Sequence, residues 1–183
     1  RVVSNGPHAQ FVSVPEKLCA LIPKEVDDET ASFTVLASIA LQGIRLAKPT
    51  FGETFLVSGL GIIGFLTVKI LEDNGCNVLA LDTNPEKCLM AKSLGINVLH
   101  IKKDTNPVDW CLRETNGIGA DGVLITASTS SSDPVNVAAN SCRKRGRIVL
   151  IGVTGLELNR DLFYKKELSF QVSCSYGPGR YDK

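Results

Sequence analysis

The sequence predicts an α/β fold in which helices cover both faces of a doubly wound parallel sheet. From residue 54 onward, short apolar segments alternate with helical segments, which is the pattern of parallel strands joined by crossover helices. The apolar segment 55–57 leads directly into the glycine-rich turn 59–64, an apolar helix and a second apolar run that ends at Asp82. A strand, a glycine turn, a helix, a strand and a final acid form the unit that binds a dinucleotide in the Rossmann fold.

The composition is that of an ordinary globular chain. Its 183 residues are enough for one domain with a substantial core. The 20 basic and 19 acidic side chains give a net charge of +1, which does not favour a nucleic-acid partner. No apolar run has membrane-spanning length, and there is no signal-peptide pattern. Six scattered cysteines without a CxxC motif indicate free thiols in a reducing compartment, so we expect a cytoplasmic location.

The first fifty residues predict two short strands and a helix. Residues 9–14 alternate weakly and form the first predicted strand, and residues 19–22 form the second. Three acids at residues 27–29 mark the start of a helix, continuous or broken, that runs to about residue 47. Acids at a helix start interact favourably with the helix dipole, so they need no catalytic explanation.

The glycines of the turn 59–64 suit different parts of a dinucleotide site. Gly59 allows the sharp turn, Gly61 allows backbone N–H groups to approach a pyrophosphate, and Gly64 allows the helix to lie close to the strand. The positive end of the helix dipole then faces the phosphates. Asp82 lies 23 residues after Gly59, near the spacing of the acid that binds the adenosine ribose. Such turns also bind S-adenosylmethionine, and some serve packing alone.

The remainder of the chain continues the alternation of strand and helix. Gly75 and Gly95 are expected to follow helix ends, and two Asn-Pro pairs at residues 84–85 and 106–107 are expected to start helices. The strands predicted after the glycine turn cover residues 76–81, 97–100, 121–127, 147–152 and 168–174. The helices predicted after it cover residues 85–94, 107–117 and 134–142, and a Ser/Thr loop occupies residues 128–132.

Further motifs lie at residues 6–15, 22–32, 52–61, 91–95 and 146–152. Together they resemble the medium-chain dehydrogenase/reductase family, the zinc-type alcohol dehydrogenase relatives, over nearly the whole chain. The resemblance implies that residues 1–23 are the end of a β-rich, GroES-like substrate domain and that residues 24–183 form a dinucleotide-binding domain. Because the chain begins at Arg1 and its only methionine is Met90, we expect a piece of a longer protein or a processed product.

The resemblance also implies an NAD-dependent oxidoreductase and a set of residues that bind its cofactor. It places the glycine turn at the pyrophosphate, Asp82 and Lys87 at the adenosine ribose, residues 126–127 at the adenine side and residues 151–153 at the nicotinamide end. The expected cofactor-binding residues are Gly59, Leu60, Gly61, Ile62, Ile63, Gly64, Asp82, Thr83, Lys87, Thr126, Ala127, Ile151, Gly152 and Val153.

The acid at the end of the second strand of this unit favours NAD over NADP. A carboxylate accepts hydrogen bonds from two ribose hydroxyls and repels a 2′-phosphate at close range. Asp82 is followed by Thr83 and Asn84, with no Arg in the next few positions. Lys87 does not compensate while Asp82 stays charged, so the expected cofactor is NAD.

A metal is not expected, although zinc-dependent relatives bind one. The resemblance places their ligands mostly in the substrate domain, with one near Val35, where residues 34–37 contain neither Cys nor Glu. The tail 173–182 resembles larger, two-enzyme-domain oxidoreductases linked to polysaccharide or sugar metabolism. We therefore expect an alcohol, carbonyl or sugar substrate that is bound through the substrate domain.

Other conspicuous residues have structural explanations. The basic cluster 143–147 is expected to end a helix and turn at Gly146 into a strand, and His8 and His100 lack metal-ligand partners at the required spacing. Trp110 is expected to pack in the core, and the Ser/Thr loop has no GxSxG elbow. No residue is a convincing proton relay, so no catalytic residue is predicted, and we expect NAD binding without turnover of an alcohol.

Two other functions stay open at this point. One is a non-catalytic module of the same fold that senses NAD or NADH or serves assembly. The other is an S-adenosylmethionine methyltransferase, against which Lys87 and the segment 6–15 argue. The exposed last strand, residues 170–174, predicts a homodimer formed by edge-to-edge pairing. No nucleic-acid or membrane partner is expected.

Overall fold

Short runs of apolar and β-branched residues, bounded by turn residues, form most of the strands. The computed structural model describes residues 1–181, which contain a two-stranded and a six-stranded sheet. The predicted strands at 76–81, 97–100, 121–127 and 168–174 are confirmed to within two residues at each end. The strands of the described residues are β1 (Val2–Ser4), β2 (Cys19–Leu21), β3 (Thr54–Ser58), β4 (Asn77–Asp82), β5 (Asn97–His100), β6 (Ala120–Ile125), β7 (Cys142–Leu150) and β8 (Ser169–Val172).

Asparagine caps and terminal glycines define the helix ends. Asn84 and Asn106 each accept hydrogen bonds from backbone N–H groups in the first turn of their helix. Gly75 and Gly95 have φ values of 78° and 79° just after two helix ends, as predicted. The predicted helix from residue 27 to 47 is broken at Phe33. The α-helices are α1 (Asp28–Ser32), α2 (Thr34–Ala47), α3 (Ile62–Asp73), α4 (Pro85–Ser93), α5 (Pro107–Glu114), α6 (Asp133–Ser141) and α7 (Arg160–Lys166).

The six-stranded sheet is parallel throughout and has the order β5-β4-β3-β6-β7-β8. The chain begins the sheet with β3, adds β4 and β5 on one side, and returns to add β6, β7 and β8 on the other. This arrangement confirms the predicted doubly wound Rossmann fold. The direction of winding reverses between β3 and β6, and such sheets bind their ligands outside the carboxyl ends of the strands at this switch point.

The core has two layers, one on each face of the sheet. Phe55 and Val57 of β3 belong to the layer covered by α2, α3 and α4, whereas Leu56 belongs to the layer covered by α5, α6 and α7. This alternation is the side-chain period of a strand that is buried on both faces. Trp110 packs in the second layer and is 8% exposed, as predicted. Within residues 1–181, no helix is long and apolar enough to cross a membrane.

The strand predicted at residues 9–14 does not form. Instead, β1 pairs in antiparallel fashion with β2, with Val2 opposite Leu21, which confirms the other predicted strand of this region. Residues 9–14 pair with no strand of the described chain, and Phe11 is 86% exposed. Weak alternation is insufficient on its own, because a strand needs a partner for its backbone N–H and C=O groups.

The basic cluster 143–147 lies within β7 and does not end a helix. Arg143 Nε donates to Asp121 Oδ1 at 2.6 Å, and Arg147 Nη2 donates to Glu53 Oε1 at 2.5 Å. The register between β6 and β7 shifts at this point, so the cluster continues the strand as an irregular segment. Asp121 and Glu53 therefore hold the two arginines at the amino ends of the strands, although both acids are distant from the cluster in sequence.

Helix α7 is not predicted by the sequence. Its apolar residues, Leu162, Phe163 and Tyr164, are consecutive and so show no helical period, although Asn159 caps its start. Lys166 at its end donates through Nζ to the carbonyl oxygens of Ala139, Asn140 and Cys142 at 2.6–3.1 Å. The ammonium group therefore caps the carboxyl end of α6, where the helix dipole favours a positive charge.

Candidate functional site

The predicted binding residues all lie at the carboxyl ends of the strands of the large sheet. They occupy the turn after β3, the loop after β4 together with the first turn of α4, and the loops that follow β6 and β7. Because these strands are parallel and adjacent, their carboxyl ends meet beside the switch point. The fold therefore brings together segments that are up to about ninety residues apart in the chain.

Two glycines of the turn are required by packing. Gly59 has a φ of 103°, and an added Cβ would lie 2.7 Å from the backbone nitrogen of Ala127. At Gly64, an added Cβ would overlap the carbonyl oxygen of Gly59. The start of α3 thus lies against the turn, and the turn lies against the residues after β6, closer than a side chain would allow.

Gly61 has a different role from its two neighbours. Any residue can adopt its φ of −70° and ψ of −178°, and no atom lies within 4 Å of an added Cβ. It is the N-cap residue of α3, and within the described chain no side chain caps this helix. The positive end of the helix dipole therefore faces open space at Gly61, where the missing side chain provides access for a ligand.

Asp82 fastens the glycine turn to the end of β4. Its Oδ2 accepts a hydrogen bond from Leu60 N at 2.5 Å, and its Oδ1 accepts one from Asn84 N at 2.7 Å. Only 9% of the residue is exposed. Each carboxylate oxygen has two lone pairs, so each can accept one further hydrogen bond. The acid is thus held in a fixed orientation and still has acceptors for a pair of hydroxyl groups.

The residues after Asp82 form the outer side of the site. Asn84 Oδ1 accepts a hydrogen bond from Lys87 N at 3.0 Å, and the Lys87 side chain is exposed in the first turn of α4. His100, in register with Asp82, contacts Thr83 O through Nε2 at 3.0 Å. Since a carbonyl oxygen only accepts, the histidine donates from Nε2. His100 therefore has the structural role that was predicted, and it holds the backbone of Thr83.

Thr126 joins the end of β6 to the glycine turn. Its hydroxyl donates to Gly59 O at 2.6 Å, and its backbone N–H donates to Ser58 O at 2.9 Å. Ala127 lies directly against Gly59. Thr126 and Ala127 thus border the glycine turn, and the Thr126 hydroxyl holds the turn in place.

The backbone beyond β7 forms a shelf, which we define as residues 151–153. The N–H groups of Ile151 and Gly152 both donate to Ile125 O at 2.9 Å, and Val153 N donates to Ala127 O at 3.1 Å. An added Cβ at Gly152 would overlap the carbonyl oxygen of Ala127. Val153 is 71% exposed. The shelf is therefore held against the end of β6 and presents Val153 to open space.

Comparisons with known proteins agree with this geometry. Residues 63–183, which make up most of the chain, match the model of the zinc-binding dehydrogenase family. The chain belongs to this family. An alcohol dehydrogenase from Moraxella sp. (strain TAE123) is 28% identical over 150 residues, which are 81% of this chain and 43% of that protein. The resemblance to the zinc-type medium-chain dehydrogenase/reductases is thereby confirmed.

Two solved structures illustrate the likeness. A short chain alcohol dehydrogenase from Escherichia coli CFT073, complexed with NADH, is 28% identical, with a TM-score of 0.78 over 88% of this chain and 48% of that chain. A mycobacterial protein complexed with NADPH is 22% identical, with a TM-score of 0.83 over 98% of this chain and 57% of that chain, and shows the fold alone. The chain spans less than half the length of the Moraxella and Escherichia coli relatives.

Membership of the zinc-binding dehydrogenase family implies a zinc ion, which the described residues do not fit. Thr34 and Val35 at the start of α2 carry no zinc-binding group. Within residues 1–181, no three His, Cys, Asp or Glu side chains are placed to hold a metal. Burial raises the pKa of the Cys111 thiol and raises that of Cys142 to about 12, so both thiols stay protonated. No chemistry at this site is therefore assigned to zinc.

Some contacts that hold the site were missed by sequence reasoning. The bond from Asn84 N to Asp82 is an Asx turn, a local motif that the sequence could have indicated. The bonds from Leu60 N to Asp82 and from Thr126 to Gly59 span 22 and 67 residues. No local signal reports them, because they exist only once the strands are side by side.

Proposed function

We propose that this chain is the NAD(H)-binding domain of an alcohol dehydrogenase-like oxidoreductase and that it holds the nicotinamide for hydride transfer. The observation that carries the proposal is the arrangement of Asp82 and Gly61. The carboxylate is anchored to the glycine turn but keeps free lone pairs, and Gly61 leaves the start of α3 open. A turn used only for packing would need Gly59 and Gly64 and would not need Gly61.

The residues present fit a dinucleotide along the whole edge. The pyrophosphate would be held at the start of α3, where backbone amides and the helix dipole favour an anion. Asp82 would accept hydrogen bonds from the ribose hydroxyls, with Thr83 and Lys87 on the same side. The shelf would support the nicotinamide end. A bound nicotinamide supplies the hydride donor or acceptor, and the protein supplies its orientation.

Asp82 supports NAD as the preferred form of the cofactor. The carboxylate matches a ribose with free 2′- and 3′-hydroxyls, whereas a 2′-phosphate would bring like charges together in a poorly hydrated place. The NADH complex of the 28% identical relative also supports a nicotinamide cofactor. Lys87 is exposed and free to turn toward solvent, so its charge would not offset the repulsion.

The substrate would be bound outside the dinucleotide domain, which we assign to residues 24–183. Hydride transfer also needs a proton relay or Lewis acid for the substrate oxygen. We assign no proton relay to this end of the sheet, and the described residues contain no group of three side chains that could hold a metal ion. Residues 1–23 would be the end of a substrate domain, since the apolar side chains of Val2, Phe11 and Leu21 are 59%, 86% and 83% exposed. The substrate would be an alcohol, a carbonyl compound or a sugar. The six free cysteines support a cytoplasmic location.

Calorimetric titration with NADH, NADPH and S-adenosylmethionine tests the proposal. We expect saturable binding of NADH, weaker binding of NADPH and no alcohol oxidation by this chain. Asp82→Asn should weaken NADH binding about tenfold, because hydrogen bonds to a charged acceptor are lost. It should also reduce the difference in affinity between NADH and NADPH. Asp104→Asn, which removes an exposed acid from the loop after β5, is the control with the same change in net charge.

Two results would contradict the proposal. Preferential binding of S-adenosylmethionine would exclude the dehydrogenase function. Absence of NADH binding by a chain that is shown to be folded by circular dichroism would exclude a cofactor site on this chain alone.

A further inference from the structure

Helix α2 contains a glycine, Gly43, in its buried face. Glycine is unfavourable in a helix interior, so this residue needs a packing explanation. An added Cβ at Gly43 would overlap Ile151 Cδ1, would lie 2.5 Å from Ile151 Cγ1 and would lie 3.7 Å from Leu124 Cδ2. The side chain of Ile151 therefore occupies the notch that the glycine leaves in α2.

Ile151 is the first residue of the shelf beyond β7. Its backbone N–H shares the carbonyl oxygen of Ile125 with Gly152. On the other side, Gly152 lies flush against the carbonyl of Ala127. The backbone of the shelf is thus held between the end of β6 and α2. Its distance from α2 depends on how deeply the Ile151 side chain enters the notch at Gly43.

Helix α2 is itself anchored on both sides of the notch. Arg147 Nη1 donates to Lys48 O at the end of the helix at 2.9 Å. An added Cβ at Gly177 would lie 2.6 Å from Gln42 Cδ, so the tail of the chain packs against α2 next to the notch. With the helix fixed in this way, a methyl group added at Gly43 would displace Ile151 and the shelf.

We propose that Gly43 is a positioning residue for the nicotinamide end of the dinucleotide site. Its missing side chain sets the depth of Ile151 and, through Ile151, the backbone from Ile151 to Val153. The inference rests on the proposed function, because the shelf matters only if a nicotinamide lies against it. It predicts a defect confined to the nicotinamide half of the ligand.

The test compares NADH with ADP-ribose, which has the adenosine, the pyrophosphate and the second ribose but lacks the nicotinamide. Gly43→Ala should weaken NADH binding about tenfold, as expected for an overpacked contact, and leave ADP-ribose binding unchanged. The fluorescence of bound reduced nicotinamide should shift as well. Gly179→Ala is the matched control, because an added Cβ there meets no atom within 4 Å.

Exchange of volume across the contact between Gly43 and Ile151 provides a second test. Ile151→Ala removes the two Ile151 atoms that lie closest to an added Cβ at Gly43 and leaves Leu124 Cδ2 at an ordinary contact distance of 3.7 Å. Alone, it should lower the affinity for NADH relative to ADP-ribose, because the shelf loses its side-chain anchor. Gly43→Ala combined with Ile151→Ala should restore NADH binding toward the parent value. Thermal unfolding of each variant shows whether a loss of NADH binding comes from unfolding of the chain or from displacement of the shelf.

Three outcomes would overturn the inference. The first is NADH binding by Gly43→Ala that equals the parent. The second is an equal loss of NADH and ADP-ribose binding in a folded variant, and the third is a double variant no better than Gly43→Ala. If the folded parent binds neither ligand, the proposed function fails first and the inference fails with it, and that result differs from the other three.

Discussion

At the residue scale, polar side chains hold the ends of the strands in place. Asp82 does so at the carboxyl ends of the strands, and Glu53 does so at their amino ends. Glu53 Oε1 accepts from Arg147 Nη2 at 2.5 Å, and Glu53 Oε2 accepts from Thr50 N at 2.8 Å. Burial acts to raise the pKa of Glu53, but these hydrogen bonds and the charge of Arg147 lower it overall below its ordinary value of 4.5.

Glu53→Gln should destabilise the fold by about 1–3 kcal/mol at pH 7, because a hydrogen bond to a charged acceptor is lost. A carboxylate whose pKa is lower in the folded state stabilises the fold fully above its unfolded pKa, and this stability is lost as pH falls through the folded pKa. The difference in stability between the parent and Glu53→Gln should therefore begin to shrink as pH falls below 4.5 and should disappear below the lower pKa of the folded state. Urea unfolding as a function of pH measures this difference.

Glu157→Gln, at an exposed position, is the control and should change stability little at any pH. A Glu53→Gln variant that is as stable as the parent at pH 7 would show that the ion pairs at the amino edge do not hold β3 and β7 together.

At the element scale, the sequence predicts the central strands well because burial on both faces makes them continuous apolar runs. Residues 55–57 and the apolar run before Asp82 are short and bounded by turn residues, and both form strands as predicted. The glycines and the Asn-Pro pairs mark the helix ends. The same reasoning fails for β1, which depends on pairing with β2 and has no strong apolar period of its own. Local patterns contain no information about which distant segment will supply a partner.

Charged elements are hard to predict for the same physical reason. The residues 143–147 have the composition of a solvated helix end, yet Asp121 and Glu53 hold them in β7. Helix α7 is stabilised by Lys166, whose ammonium group binds carbonyl oxygens of another helix. In the candidate site, the proposed binding residues were predicted from motif and resemblance, whereas the notch at Gly43 is visible only in the packed structure.

At the scale of the whole molecule, the large sheet has two edges, β5 and β8. All four residues of β8 are exposed or only partly buried, and Val172 is 55% exposed, whereas Val98 of β5 is buried. An exposed edge offers unpaired backbone N–H and C=O groups to a second copy of the chain. We therefore retain the homodimer through β8 as a proposal.

Val172→Lys should convert this dimer into a monomer, because it places a charge in the pairing edge. Light scattering coupled to size-exclusion chromatography measures the mass of both. Leu89→Lys, which changes an exposed residue of α4 far from this edge in the sheet order, should leave the mass unchanged. A parent chain that is monomeric at high concentration would rule out the proposed interface.

We propose that the glycine turn and Asp82 bind a dinucleotide, and the substitution Gly61→Val separates this binding from the stability of the fold. The backbone angles of Gly61 suit any residue, and an added Cβ meets no atom within 4 Å, so this variant should fold and should unfold only slightly below the temperature of the parent, because valine is a poorer N-cap residue than glycine. Gly64→Ala, where the Cβ would overlap Gly59 O, should instead lower the unfolding temperature.

Calorimetric titration of Gly61→Val with NADH is the decisive measurement. We predict a folded chain that no longer binds NADH, because the valine side chain would occupy the space into which the start of α3 opens. Unchanged NADH affinity in this variant would contradict the account, since it would show that the ligand does not lie at the glycine turn.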